Sequence, residues 1–191
     1  MTPLRIRLLW RLGTLVAICA LLWYAVVYAW PGLVGNAVGS VAEERAEPCL
    51  PGHAVPLMHS PHVSPSAAAH LEYNSLPPTS GPHFSFAPAL GEYGAPVADG
   101  LTVHALEHGH IAVLYATDTP EDGIDIPRGL SNDYPRDVLL APYPDLPHGI
   151  AVTAWGRLDT TADVDADRLR VFIEQLRGRY DHGWTGPPRC G

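Results

Sequence analysis

Residues 110–117 have the sequence HIAVLYAT, a short apolar run that is rich in β-forming residues. Two similar runs follow it, DVLLAPY at 137–143 and IAVTAWGRL at 150–158. Runs of this length and composition are typical of strands rather than helices. The three runs therefore predict strands of one sheet. The turn-rich link PDLPHG between the last two favours an antiparallel pairing of these two strands.

A helical pattern follows at 165–179. Its apolar residues recur at the spacing of one helix face, with aspartates at the start and arginines further on, as the helix dipole favours. The apolar positions are Leu169, Phe172, Ile173 and Leu176. The pattern predicts an amphipathic helix that packs on the sheet.

Proline is frequent in residues 49–100, in stretches such as LPGHAVPLMHSPHVSP. Because proline fixes φ and lacks a backbone N–H donor, this half is expected to form ordered loops with few strand ladders. The predicted fold class is α+β: an N-terminal transmembrane helix, a small and mostly antiparallel sheet with a C-terminal amphipathic helix, and a long proline-rich loop region.

The N-terminus predicts a membrane anchor. Three arginines precede an uncharged run at 12–30, which as a helix reaches about 28 Å, close to the hydrocarbon thickness of a bilayer. The positive-inside rule then places the N-terminus in the cytoplasm and everything from residue 31 onward outside. The alternative is a cleaved signal peptide, because small residues at 37–39 fit a cleavage site. The predicted division is a cytoplasmic tip and anchor at 1–30, a juxtamembrane spacer at 31–48 and an extracytoplasmic histidine-rich domain at 49–191.

The exported part is strongly acidic. All 20 acidic residues lie after residue 42 with only nine of the 12 arginines, a net charge of −11 before histidine is counted. Nucleic acid and anionic lipid are therefore poor partners. The expected partners are the membrane, through residues 12–30, and subunits of a membrane complex.

Two cysteines flank the exported domain, Cys49 and Cys190. In an oxidising compartment they are expected to form a disulfide that closes the domain. Two free thiols, or Cys49 as a metal ligand, are the alternatives.

The strongest chemical signal is HALEHGH at 104–110, with three histidines and a glutamate in seven residues. On a helix, His104 and His108 share a face, as paired metal ligands do; on a strand, His110 joins them on one face and Glu107 lies on the other. The sequence pattern His-x-x-Glu-His also matches the inverzincin protease motif, which needs a helix of several turns. With Gly100 before it and Gly109 after it, the motif has room for only a short turn of helix.

Two further segments contain candidate ligands. PPTSGPH at 77–83 is expected to form a stiff turn. Either the turn orients His83 as a ligand, or it is structural and His83 and Ser80 satisfy buried backbone groups. Residues 49–70 combine imidazole and thioether groups, a combination that copper sites use. The candidates there are His53, Met58, His59, His62 and His70.

Together PPTSGPH, the Gly-Glu-Tyr turn at 91–93, VHALEHG at 103–109 and TAWGR at 153–157 resemble the bacterial family known as domain of unknown function 3105. The resemblance covers about residues 60–180, and members of that family resemble this chain in their N-terminal membrane segment. It implies a shared site made of His83, His104, Glu107 and His108, and it matches His62 to a histidine that precedes Tyr73.

Three hypotheses follow. In the first, His83, His104 and His108, with His62 or Glu107, bind one metal ion for copper handling, with zinc as the alternative ion. In the second, the domain is a metal-dependent hydrolase with Glu107 as general base. In the third, it is a non-catalytic accessory domain of a membrane complex and binds no metal.

Overall fold

A computed structural model describes residues 50–185 of the chain, without the side chains of residues 68–70. The predicted anchor, the spacer, Cys49 and Cys190 lie outside the described residues. Within 50–185 the longest helix has 13 residues, and none has the length and apolar character needed to cross a bilayer.

The described residues form a mixed α+β fold, as predicted. Three α-helices are present in this part of the chain, α1 (Asp99–Glu107), α2 (Glu121–Asp133) and α3 (Ala166–Leu176), with a 3₁₀ helix at Pro65–His70. The same part contains eight strands: β1 (His53–Ala54), β2 (His62–Val63), β3 (His83–Phe84), β4 (Gly91–Glu92), β5 (Ile111–Tyr115), β6 (Val138–Pro142), β7 (Ile150–Ala154) and β8 (Arg157–Thr161).

Six of these strands form one mixed sheet in the order β1-β8-β7-β5-β6-β4, and β2 pairs separately with β3. The pairs β1–β8, β8–β7 and β7–β5 are antiparallel, whereas β5–β6 and β6–β4 are parallel. The predicted antiparallel pairing of the runs at 137–143 and 150–158 is wrong, because β5 lies between β6 and β7. Helix α2 supplies the long connection that a parallel β5–β6 pair requires.

Both faces of β5 are buried, which explains its uninterrupted apolar sequence. Ile111 and Val113 pack into a core with α2 and α3, while Ala112 and Leu114 pack into a second core with α1 and the proline-rich segments. Helix α3 has the predicted amphipathic face, with all four predicted apolar residues buried, and Asp165 caps its first turn. The sheet therefore lies between two layers, and α1 is in the layer that contains the proline-rich loops.

Helix α2 and strand β8 were not predicted as separate elements. Pro127 and the glycines of α2 disfavour a helix, so the sequence of this segment did not predict one. The predicted strand at 150–158 is instead the hairpin of β7 and the start of β8, which turns at Gly156 with φ +69°.

A tight turn at Gly109 joins α1 to β5 and contacts the segment that follows α3. Gly109 has φ +79°, and a Cβ there would lie 2.5 Å from the carbonyl oxygen of Tyr180. The Gly109 carbonyl accepts a hydrogen bond from Gly178 N–H at 2.8 Å. The close approach thus fixes residues 178–185 beside the C-terminal end of α1.

We expect Gly109→Ala to lower the free energy of unfolding by about 1–3 kcal/mol, because a Cβ clashes and the left-handed backbone is unfavourable for alanine. Gly129→Ala is the matched control, since Gly129 lies in α2 with nothing within 4 Å of its Cβ position. It is expected to raise stability by up to about 1 kcal/mol. Chemical denaturation of the full chain measures both, and equal effects of the two substitutions would contradict this packing.

Candidate metal centre

Four of the five predicted metal ligands lie together beside α1. His62 is on β2, His83 on β3, and His104 and Glu107 on one face of α1. The β2–β3 pairing places His62 directly opposite His83. One ligand atom from each of the four residues lies within 4.8 Å of the others. We call this set the inner group.

The turn at residues 77–83 holds His83 in a fully buried position, with 0% of its surface exposed. Its Nδ1 is 2.9 Å from the carbonyl oxygen of Gly81. Because a carbonyl can only accept, Nδ1 must carry a hydrogen, and Nε2 of the neutral ring then carries a lone pair. Nε2 lies 3.0 Å from Oε2 of Glu107, yet it has no hydrogen-bond partner. With a neutral His83 ring, two acceptor atoms face each other in a buried place.

His104 is oriented in the same way. Its Nδ1 donates to the carbonyl oxygen of Phe84 at 2.6 Å, so its Nε2 also presents a lone pair when the ring is neutral. Burial lowers the pKa of His104, with the hydrogen bond to Phe84 opposing this effect. The low pKa favours the neutral ring, the form that binds a metal. A carbonyl behind each imidazole is the arrangement that commonly orients metal-binding histidines.

Gly100 allows α1 to approach β3 closely enough for the bond from His104 to Phe84. A Cβ at Gly100 would lie 2.9 Å from the Phe84 ring. The packing of this helix against β3 therefore sets the distance between His104 and His83, whose ring centroids are 5.2 Å apart.

His62 forms the exposed side of the inner group. Its ring packs edge-on against His83, with centroids 4.9 Å apart, and stacks on His104 at 5.6 Å. The other three members are buried. A ligand can therefore reach the group from the His62 side.

The carboxylate of Glu107 is nearly buried, with 8% of the side chain exposed. Within residues 50–185 its ion-pair partners are two histidines, His83 and His182, and the distance from Oε2 to His182 Nδ1 is 3.4 Å. Ser60 Oγ donates a long hydrogen bond of 3.5 Å to Oε1. A buried carboxylate is costly unless it is paired, so this negative charge needs a cation or a proton nearby.

The fifth predicted ligand, His108, lies next to the inner group but belongs to a second one. Its Nε2 is 3.0 Å from Nε2 of His104, whereas its Nδ1 is 3.3 Å from Oδ1 of Asp181. His108, Asp181 and His182 form a set of ligand atoms within 4.8 Å of one another, which we call the outer group. Asp181 and His182 were not predicted, because no local spacing connects them to His108, which lies 73 residues before Asp181.

The two hydroxyl residues of PPTSGPH have buried, structural positions. Ser80 Oγ accepts a hydrogen bond from Met58 N–H at 3.1 Å, and the Thr79 carbonyl accepts one from Gly156 N–H. Both residues are 0% exposed, so neither is placed to attack a substrate. The Ser80 hydroxyl and the Thr79 carbonyl therefore have structural roles, and the same turn provides a site residue, His83.

The remaining candidates fall outside both groups. His53 lies on β1 at the edge of the sheet, His59 is exposed, and His110 lies in the connection to β5. Met58 contacts the turn at Gly81. His70 is among the residues whose side chains are not described. Of the predicted histidine and methionine loop at 49–70, only His62 joins the inner group.

The helix that contains the histidine motif is longer than predicted. Helix α1 has nine residues, more than two turns, whereas only a short turn of helix was expected. The close packing of Gly100 against Phe84 explains how this helix accommodates a glycine near its start. The His-x-x-Glu-His pattern therefore lies at the end of this helix, with Glu107 as its last residue and His108 as its C-cap. Glu107 is directed toward His83.

A family model described as "Protein of unknown function (DUF3105)" matches residues 62–186. The chain belongs to this family. The match confirms the resemblance seen in the sequence and spans every residue of the inner and outer groups, from His62 to His182. Neither the curated proteins nor the solved structures contain a match to this DUF3105 chain.

In the metal-free protein we expect His83 and His104 to be Nδ1–H tautomers, because each Nδ1 faces a backbone carbonyl oxygen. Long-range ¹H–¹⁵N NMR spectra recorded after chelation identify the tautomer of each ring. An Nε2–H tautomer at either residue would contradict the orientation described here.

Proposed function

We propose that this domain binds a divalent transition-metal ion through His62, His83, His104 and Glu107. The observation that carries the proposal is the buried Nε2 of His83, which lies 3.0 Å from Glu107 Oε2 without forming a hydrogen bond. Two facing acceptors repel each other unless a proton or a cation lies between them. A metal ion between them accepts lone pairs from several ligands at once.

The inner group also has the supporting features of a metal site. Two of its imidazoles are held by carbonyl groups, and one, His62, is exposed so that an ion can enter. The ligands come from two paired strands and from a helix that packs against β3. Little ordering entropy is therefore lost on binding.

The donor set favours copper(II) or zinc(II) over copper(I). Three imidazoles and a carboxylate contain no soft sulfur ligand, which copper(I) prefers. For a given nitrogen and oxygen site, copper(II) binds more tightly than zinc(II). With the predicted export of the domain, we propose that it handles copper outside the cytoplasm, with zinc as the alternative ion.

A metal-dependent hydrolase with Glu107 as general base is the second candidate. The position of Glu107 on the same helix as His104 favours it, as in the inverzincin motif. The two candidates differ in what Glu107 does. As a ligand Glu107 contributes to metal affinity, whereas a general base contributes to the reaction and leaves affinity almost unchanged.

We expect His83→Ala and Glu107→Gln each to weaken copper(II) and zinc(II) binding at least tenfold, because each removes a direct ligand. Isothermal titration of the full chain, purified in detergent, measures the affinity. Copper(II) EPR is expected to show nitrogen hyperfine coupling that His83→Ala reduces.

His148→Ala is the matched control, because His148 is exposed in the link between β6 and β7 and belongs to neither group. Circular dichroism confirms that each variant is folded. Unchanged affinity in folded His83→Ala would overturn the proposed site. Unchanged affinity in Glu107→Gln alone would favour the hydrolase.

A further inference from the structure

We infer that the outer group, His108, Asp181 and His182, is a second metal site beside the first. Its ligand atoms lie within 4.8 Å of one another. Two imidazoles and a carboxylate leave coordination positions for water or a substrate, as in the facial triads of catalytic metal sites. The inference goes beyond the proposed function, because none of these three residues belongs to the inner group.

The ring of His108 faces both groups. Its Nε2 lies 3.0 Å from Nε2 of His104, and its Nδ1 lies 3.3 Å from Oδ1 of Asp181. Its ring centroid is 4.6 Å from that of His182. Two imidazoles and a carboxylate therefore converge on one place, as the ligands of a metal ion do.

The backbone of His182 is a second, independent observation. His182 has φ +51°, and it is the only residue other than glycine with positive φ within residues 50–185. Such a conformation is unfavourable and is concentrated at functional sites. It is held by a hydrogen bond from His182 N–H to the Glu107 carbonyl oxygen at 3.2 Å, which fixes the imidazole at the end of α1.

The two groups are in contact at two points. Glu107 Oε2 lies 3.0 Å from His83 Nε2 and 3.4 Å from His182 Nδ1, so one carboxylate oxygen faces both groups. The His108 ring turns one nitrogen toward His104 and the other toward Asp181. A carboxylate placed in this way can link two ions in one centre.

The outer site is expected to bind its ion more weakly. The side chains of His108, Asp181 and His182 are 35%, 60% and 54% exposed, whereas the inner ligands other than His62 are buried. Exposed ligands lose more conformational freedom on binding and compete with water. The outer ion should therefore exchange more rapidly than the inner one.

The test is the zinc stoichiometry of the full chain, measured by isothermal titration with Zn²⁺. We expect two ions per chain, the second at least tenfold weaker, and one ion per chain in His182→Asn or Asp181→Asn. Asparagine at 182 tolerates the positive φ, so this variant removes the imidazole with little change to the backbone. His148→Ala should keep both ions.

Copper(II) EPR gives an independent readout. In the native chain a second equivalent of Cu²⁺ should broaden the signal of the first by dipolar coupling, and His182→Asn should abolish the broadening. One ion per chain that is lost in His83→Ala and kept in His182→Asn would overturn the outer site and leave the inner site intact. One ion lost in His182→Asn but kept in His83→Ala would overturn the inner site and support the outer one.

Discussion

The contact between His83 Nε2 and Glu107 Oε2 is the interaction on which the proposed metal site depends. The two atoms are 3.0 Å apart, and both side chains are buried. The Gly81 carbonyl fixes the hydrogen of His83 on the far side of the ring, so the near side carries a lone pair. Burial makes an uncompensated carboxylate expensive, and the surrounding elements hold it in place. A bound cation satisfies the lone pair and the charge together.

The rest of the fold supports this contact from two directions. The sheet is buried on both faces, and one of its layers consists of α1 and the proline-rich loops. Gly100 brings α1 against Phe84 on β3, which sets the spacing of the imidazoles. At the other end of α1, the close packing at Gly109 brings the segment with Asp181 and His182 beside His108. The ligands are therefore positioned by proline-rich loops and by close contacts at two glycines, rather than by long strand pairings.

Much of this arrangement is predictable from the sequence where the signal is local. The apolar runs predicted β5, β6 and β7, the helical spacing predicted α3, and the motifs predicted His83, His104 and Glu107. Strand order was not predictable, because the link at 144–149 permits a hairpin as well as a passage across the end of β5. Helix α2 was not predicted, because Pro127 and the glycines of this helix interrupt the helical pattern. Asp181 and His182 were missed because only the tertiary packing at Gly109 brings them to the site.

The proposed ligand set can be measured by zinc K-edge X-ray absorption of the full chain, loaded with one equivalent of Zn²⁺. We expect a first shell of nitrogen and oxygen only, at about 2.0–2.2 Å, with the multiple scattering of imidazole rings. A sulfur shell at about 2.3 Å, or a shell without imidazole scattering, would contradict the proposed ligand set.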